Sequence, residues 1–121
     1  MTVRFVKYDK YFWAGKQPKL ALTFMCIDFG DGFETEIQAH YRLDRIDKKK
    51  RCWSRPKSRI VRDLGRLFPD YVDEQPLPLT RLTDVIATAR TKVITTDRDG
   101  IPLAPQQHYE IIDYFKGVND V

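Results

Sequence analysis

The sequence predicts a mostly β domain with one short helix, in the order β-β-β-α-β-β. Three patterns predict it. Residues 33–43 alternate strictly, with Glu34, Glu36, Gln38, His40 and Arg42 on one side and Thr35, Ile37, Ala39, Tyr41 and Leu43 on the other. That is the period of a strand with one buried face. Residues 19–29, KLALTFMCIDF, are apolar on both sides toward their end, as in a central strand covered on both faces. Residues 59–68 carry a helical stripe instead: Ile60, Leu64, Leu67 and Phe68 recur opposite Arg59, Arg62, Asp63 and Arg66.

The elements follow in order. Residues 3–13 interleave rings and β-branched residues with charge, the composition of a half-exposed strand. Gly15 and Pro18 mark the next turn, and the GDG at 30–32 marks a tight one, so 3–43 form a three-stranded meander. A basic connection spans 44–58. The helix at 59–68 stops at Pro69, which lacks a donor and clashes with the preceding turn. Gly65 costs it about 1 kcal/mol relative to alanine, too little to remove it. Pro76 and Pro78, after Pro69, make 69–84 an extended linker, with one helical turn at LTRL. A terminal hairpin occupies 85–115. Its first strand sets Val85, Ala87, Ala89 and Val93 against Thr88, Arg90 and Lys92. Its second places Tyr109, Ile111 and Phe115 on one face, after the loop DRDGIPLAPQQ. Residues 116–121 read as frayed.

A chain of 121 residues is expected to form one domain, 1–121, with a core that needs no staples. No apolar run approaches the roughly 18 residues that span a bilayer, so no membrane partner is expected. The first ten residues lack a charged-then-apolar leader pattern. Cys26 reads as a core thiol and Cys52 as a loop thiol, both reduced, which fits a cytoplasmic protein. Charge is unevenly placed: residues 1–60 carry 14 Lys or Arg against 7 Asp or Glu, and residues 61–121 carry 7 against 10. The first half therefore projects a positive field suited to a polyanion. Its densest part is DKKKRCWSRPKSR, residues 47–59, with seven cations after Asp47.

The sequence carries no catalytic or metal-binding signature. His40 and His108 are the only histidines, and neither cysteine has a Cys or His two to four residues away. DFGDGFETE begins like a kinase motif, but no glycine-rich loop or catalytic loop accompanies it, and a hairpin turn explains it. No phosphate-binding glycine loop or nucleophile elbow occurs. No catalytic residue, metal or cofactor is expected, and the chain reads as a non-enzyme.

One small sheet cannot hide both faces of strands this apolar. Closing it into a barrel removes exposed edges, and an amphipathic helix can plug one end. Five strands with a helix between the third and fourth resemble the oligonucleotide/oligosaccharide-binding (OB) fold, from residue 3 to residue 115. The resemblance lies in order and spacing. It implies a five-stranded Greek-key barrel with one short capping helix; an α+β open sheet with one helix is the alternative. It also implies that nucleic acid crosses the face around the second and third strands, flanked by loops 14–19 and 96–107. A single-strand groove needs cations for phosphates and ring faces for bases. Lys7, Lys10, Lys16, Lys19, His40, Arg42, Lys48, Lys49, Lys50, Arg51 and Arg55 are the polar candidates, and Tyr8, Tyr11, Trp13 and Trp53 the principal stacking ones. Phe12 and, in a shifted register, Tyr41 are further ring candidates.

The expected function is non-catalytic binding of single-stranded nucleic acid, DNA ahead of RNA, in replication, recombination or repair. A small basic stand-alone domain of this kind suits a phage or mobile element. The rival is a small protein-interaction or inhibitor module that docks its basic side on an acidic partner protein. An exposed edge at the first strand would also suit a homodimer.

Overall fold

The meander forms where the alternation places it. In the computed structural model, which describes residues 1–13, 17–30, 33–72 and 75–118 and Trp13 as backbone alone, β1 (Thr2–Trp13), β2 (Gln17–Cys26) and β3 (Glu36–Arg42) pair antiparallel in sequence order. Phe5, Tyr8 and Lys10 share the face of Phe24, Leu22 and Leu20, continued on β3 by Ile37, Ala39 and Tyr41. This face holds the core. The opposite face carries Lys7, Asp9 and Tyr11 beside Thr23, Ala21 and Lys19, then Gln38, His40 and Arg42. A bulge between Phe5 and Lys7 resets the parity of β1, so Val6 is an extra exposed residue. β2 is buried on both faces at Ala21 and Thr23, as its two-sided composition requires; Gln38 donates to the Thr23 hydroxyl at 3.2 Å.

The connection at 44–58 is more ordered than a loop. It contains a two-stranded ladder, β4 (Arg45–Ile46) with β5 (Cys52–Trp53), and Cys52, expected on a loop, is buried within it. Helix α1 (Arg59–Leu67) starts at Ser58, whose hydroxyl accepts from the Val61 amide, and buries Ile60, Leu64 and Leu67. The LTRL turn is a 3-10 helix, Leu79–Leu82. β6 (Ile86–Ile94) then pairs with β1 on one side and β7 (Tyr109–Val118) on the other.

Five strands make one antiparallel sheet, in the order β3-β2-β1-β6-β7. No strand pairing joins β3 to β7 among the described residues, so no closed barrel is formed by hydrogen bonds. The two edges nevertheless lie close together, and α1 packs against both. Phe24 meets Phe5 and Phe115 at ring-centroid distances of 5.5 and 4.9 Å, tying the meander to β7. Each such buried ring or leucine contributes about 1.5–3 kcal/mol.

The terminal hairpin departs from its expected pattern. Two register shifts, between Thr88 and Ala89 and between Arg90 and Thr91, add residues to β7 and change its parity. Ile112 and Phe115 are consequently the buried pair, while Tyr109 and Val93 are exposed, because this end of the hairpin runs past the core. Lys116–Val118, expected to fray, extend β7 alongside Ala87 and Thr88. The GDG turn falls partly on residues 31–32 and the first turn on 14–16, outside the described residues.

Candidate functional site

The free edge of β3 and the N-terminal end of α1 enclose a cleft of about 680 Å³, within the roughly 300–1,000 Å³ usual for ligand sites. His40, Arg42, Asp44, Arg55, Arg59 and Gln17 line it with Ser54 and Ser58. Strand alternation turns His40 and Arg42 outward, and the Ser58 cap sets Arg59 at the first helical position. Arg59 lies over the Tyr41 ring, 4.7 Å from its centroid, and donates to the His40 carbonyl, which occupies the otherwise unpaired strand edge. Arg55 reaches Asp44 at 3.4 Å, an exposed pair of little energetic weight. Three guanidinium groups thus face a single carboxylate. His40 is held below the usual histidine range by desolvation and by the charges of Arg59 and Lys19.

Below the cleft, Tyr41 is 3% exposed and donates to Asp63 at 2.7 Å. Asp63 also accepts from Arg66 at 3.0 Å and from the Phe115 amide at 3.5 Å, so one buried carboxylate joins α1 to both sheet edges. Burial and the adjacent Asp63 push the Tyr41 hydroxyl well above the usual tyrosine range. Tyr41 is a core anchor and offers no ring face to a base.

The β4–β5 hairpin rises from the rim of the cleft, since Asp44 and Ser54 flank its two strands. Asp47 organises it. One carboxylate oxygen accepts from the amides of Lys49 and Arg51, both at 2.9 Å; the other accepts from Arg51 Nε at 2.8 Å and the Trp53 indole at 3.0 Å. These donors, the indole first, hold the Asp47 carboxyl well below its ordinary value. Trp53 is half-buried with Arg45 over its ring at 4.6 Å. Its role is therefore to brace the hairpin, and the side chains left outward at the tip are Lys48, Lys49 and Lys50. None of the three forms an ion pair among the described residues.

The same frame occurs at Asp97, whose carboxylate accepts from the Asp99 and Ile101 amides at 2.9 Å. Gly100 stands fourth in that turn with φ 82°, and Lys50 stands fourth in the Asp47 turn with φ 66°. A lysine thus occupies a left-handed position that glycine takes without steric cost. Lys50→Gly should stabilise the fold by about 1 kcal/mol in urea unfolding, whereas Gly100→Ala should destabilise it by a similar amount. An Asp47 turn that gains nothing from glycine would contradict this account of it.

The sequence-derived candidates separate into groups. Lys7, Tyr11, Lys19, His40 and Arg42 share the outer face of the meander, with Asp9 near Lys7 at 3.8 Å. Tyr8 lies on the inner face, stacked on Phe5 and packed against the core. Lys10 is on the inner register but reaches the tip of the hairpin, donating to the Lys50 carbonyl at 2.9 Å. Phe12 is 59% exposed near the end of β1. Arg51 is committed to Asp47, and Arg55 lies in the cleft. Lys16 and the Trp13 side chain lie outside the described residues. Sequence reading missed Arg59, Gln17, Ser54 and Ser58. The helical stripe places Arg59 on the same face as Arg62, Asp63 and Arg66, and only the structure shows that it reaches the β3 edge.

No protein-family model, curated protein or solved structure matches this chain. Function is therefore read from the chemistry of the site itself. Among the described residues no helix is long and apolar enough to cross a membrane, and no group of three His, Cys, Asp or Glu is placed to hold a metal ion.

Proposed function

We propose that this chain is a non-catalytic module that binds single-stranded nucleic acid, DNA ahead of RNA, in replication, recombination or repair. One observation carries the reading: Arg42, Arg55 and Arg59 line the cleft, and the hairpin that leaves it at Asp44 and Ser54, braced by Asp47, carries Arg45, Lys48, Lys49 and Lys50. A strand of phosphates is the ligand such an array suits, and preorganised cations bind at a lower entropic cost. Tyr11 and Phe12 stand at the same end of β1 as Lys10, which contacts the hairpin tip, and supply ring faces for bases. The strand order supports an OB-like reading as well. A long connection containing α1 returns β6 beside β1, the spatial order of a Greek key, and Asp63 bridges the two edges that a barrel would close.

Fluorescence anisotropy with short single- and double-stranded oligonucleotides at two salt concentrations tests the proposal. Single strands should bind more tightly, and log K should fall against log salt with a slope of about −5 for seven phosphate contacts. A flat salt dependence, or no binding below roughly 100 μM at low salt, would turn attention to an acidic protein partner for the same surface.

A further inference from the structure

Positive charge does not end at the first cleft. Arg59 also lines a second cleft of about 240 Å³, with Arg62, Asp63, Arg66, Asp113 and Tyr114. Arg59, Arg62 and Arg66 follow one another at i, i+3 and i+7, which puts them on one face of α1. Two of them are already immobilised. Arg59 is fixed over Tyr41, and Arg66 lies 5.5 Å from the Tyr114 ring centroid while donating to Asp63 and, at 3.3 Å, to the Phe115 carbonyl. The acids of the cleft are occupied: Asp63 is buried in its hydrogen bonds, and Asp113 pairs with Lys92 at 3.5 Å. Arg62 is exposed and has no ion-pair partner among the described residues.

Packing and hydrogen bonding account for Arg59 and Arg66 but not for Arg62. A surface helix normally places acids in its first turn, where unsatisfied amides favour negative charge, and intersperses both signs along its exposed side. The first turn of α1 contains no acid and carries Arg59 and Arg62 instead, against the helix dipole. The one acid of α1, Asp63, is 1% exposed. Cations kept where the helix disfavours them indicate a demand from a ligand.

We propose that α1 is a second phosphate-binding surface: the nucleic-acid strand leaves the first cleft over Arg59 and continues along Arg62 and Arg66. This rests on the nucleic-acid reading above and extends its footprint. The arginines step along the helix axis by about 4.5 and 6 Å, so they form one row of cations on α1.

The test is anisotropy of the full chain and its Arg62→Glu variant with single-stranded oligonucleotides of about 6 and about 16 nucleotides, alongside thermal melts. Arg62→Glu should bind the long oligonucleotide roughly tenfold more weakly, with a salt slope shallower by about 0.7 or more. The short oligonucleotide should bind unchanged, and the melting temperature should hold or rise because an acid replaces a cation in the first turn. Equal affinity of variant and wild type for the long strand overturns the inference while leaving the nucleic-acid reading intact. An equal loss on both lengths overturns it too, since that is a general field effect. Failure of the wild type to bind either length removes both.

Discussion

Replacing Lys48, Lys49 and Lys50 together by alanine should weaken single-strand binding about thirtyfold at low salt and make the salt slope shallower by about 2. The loss should be the same for every sequence tested, because contacts to phosphate carry no base information. The hairpin should survive the change. Its frame is made by the Asp47 carboxylate with main-chain amides, Arg51 Nε and the Trp53 indole, none of which the triple variant removes. Arg51 is left in place for that reason, since its loss would disturb the frame as well as the charge. Anisotropy titrations at two salt concentrations measure both quantities, and circular dichroism checks the fold. A triple variant that binds as tightly as the wild type would reduce the lysine tip to a solvated turn and take it out of the proposed binding surface.

The second large effect concerns stability. Asp63→Ala should cost about 3 kcal/mol in urea unfolding and lower the melting temperature by roughly 10 °C. The change strips a buried acceptor from the Tyr41 hydroxyl and the Phe115 amide and removes the carboxylate that pairs with Arg66. It also removes the hydrogen bonds by which Asp63 ties α1 to both sheet edges, so the cleft should loosen with it. Asp63→Asn keeps an acceptor and should be far milder, and it exposes a pH effect of definite sign. Burial raises the Asp63 carboxyl above its ordinary value, the hydrogen bonds and nearby arginines offsetting only part of this. The folded state therefore holds its proton more tightly than the unfolded chain. The stability owed to Asp63 is full below the ordinary carboxylate range and declines as pH rises through the raised native value. The wild-type-minus-Asn difference in unfolding free energy should fall with rising pH across that window. A difference that rises with pH would mean that Asp63 is stabilised as an anion and would reverse this account.

The helix and the meander were legible because each rests on a local period. Ile37, Ala39, Tyr41 and Leu43 are buried at alternate positions, and Ile60, Leu64 and Leu67 line the inner side of α1. The C-terminal strand was misread at the same level. Two register shifts change its side-chain parity, and they answer to pairing with β6, which no local period records. The hairpin at Asp47 escaped notice for a related reason. Seven cations conceal two short strands, and the interaction that orders them is one carboxylate collecting main-chain and indole donors. The twin turn at Asp97 shows that the frame belongs to the aspartate, whereas glycine belongs to only one of its two copies.

By itself the sequence determined a mostly β chain with one amphipathic helix and a basic first half. Hydrophobic period and charge are properties of neighbouring residues, and they survive without knowledge of the fold. Tertiary structure decided which cations converge. Arg42, Arg55 and Arg59 meet at one cleft because the free edge of β3 lies against the start of α1. It also decided which rings remain available, since Tyr8, Tyr41 and Trp53 are taken up by packing or by a guanidinium. Convergence depends on strand pairing across long stretches of chain, held by buried contacts such as Asp63 with Tyr41 and Phe115. A one-dimensional pattern records that each residue is charged or aromatic, but not which partner satisfies it.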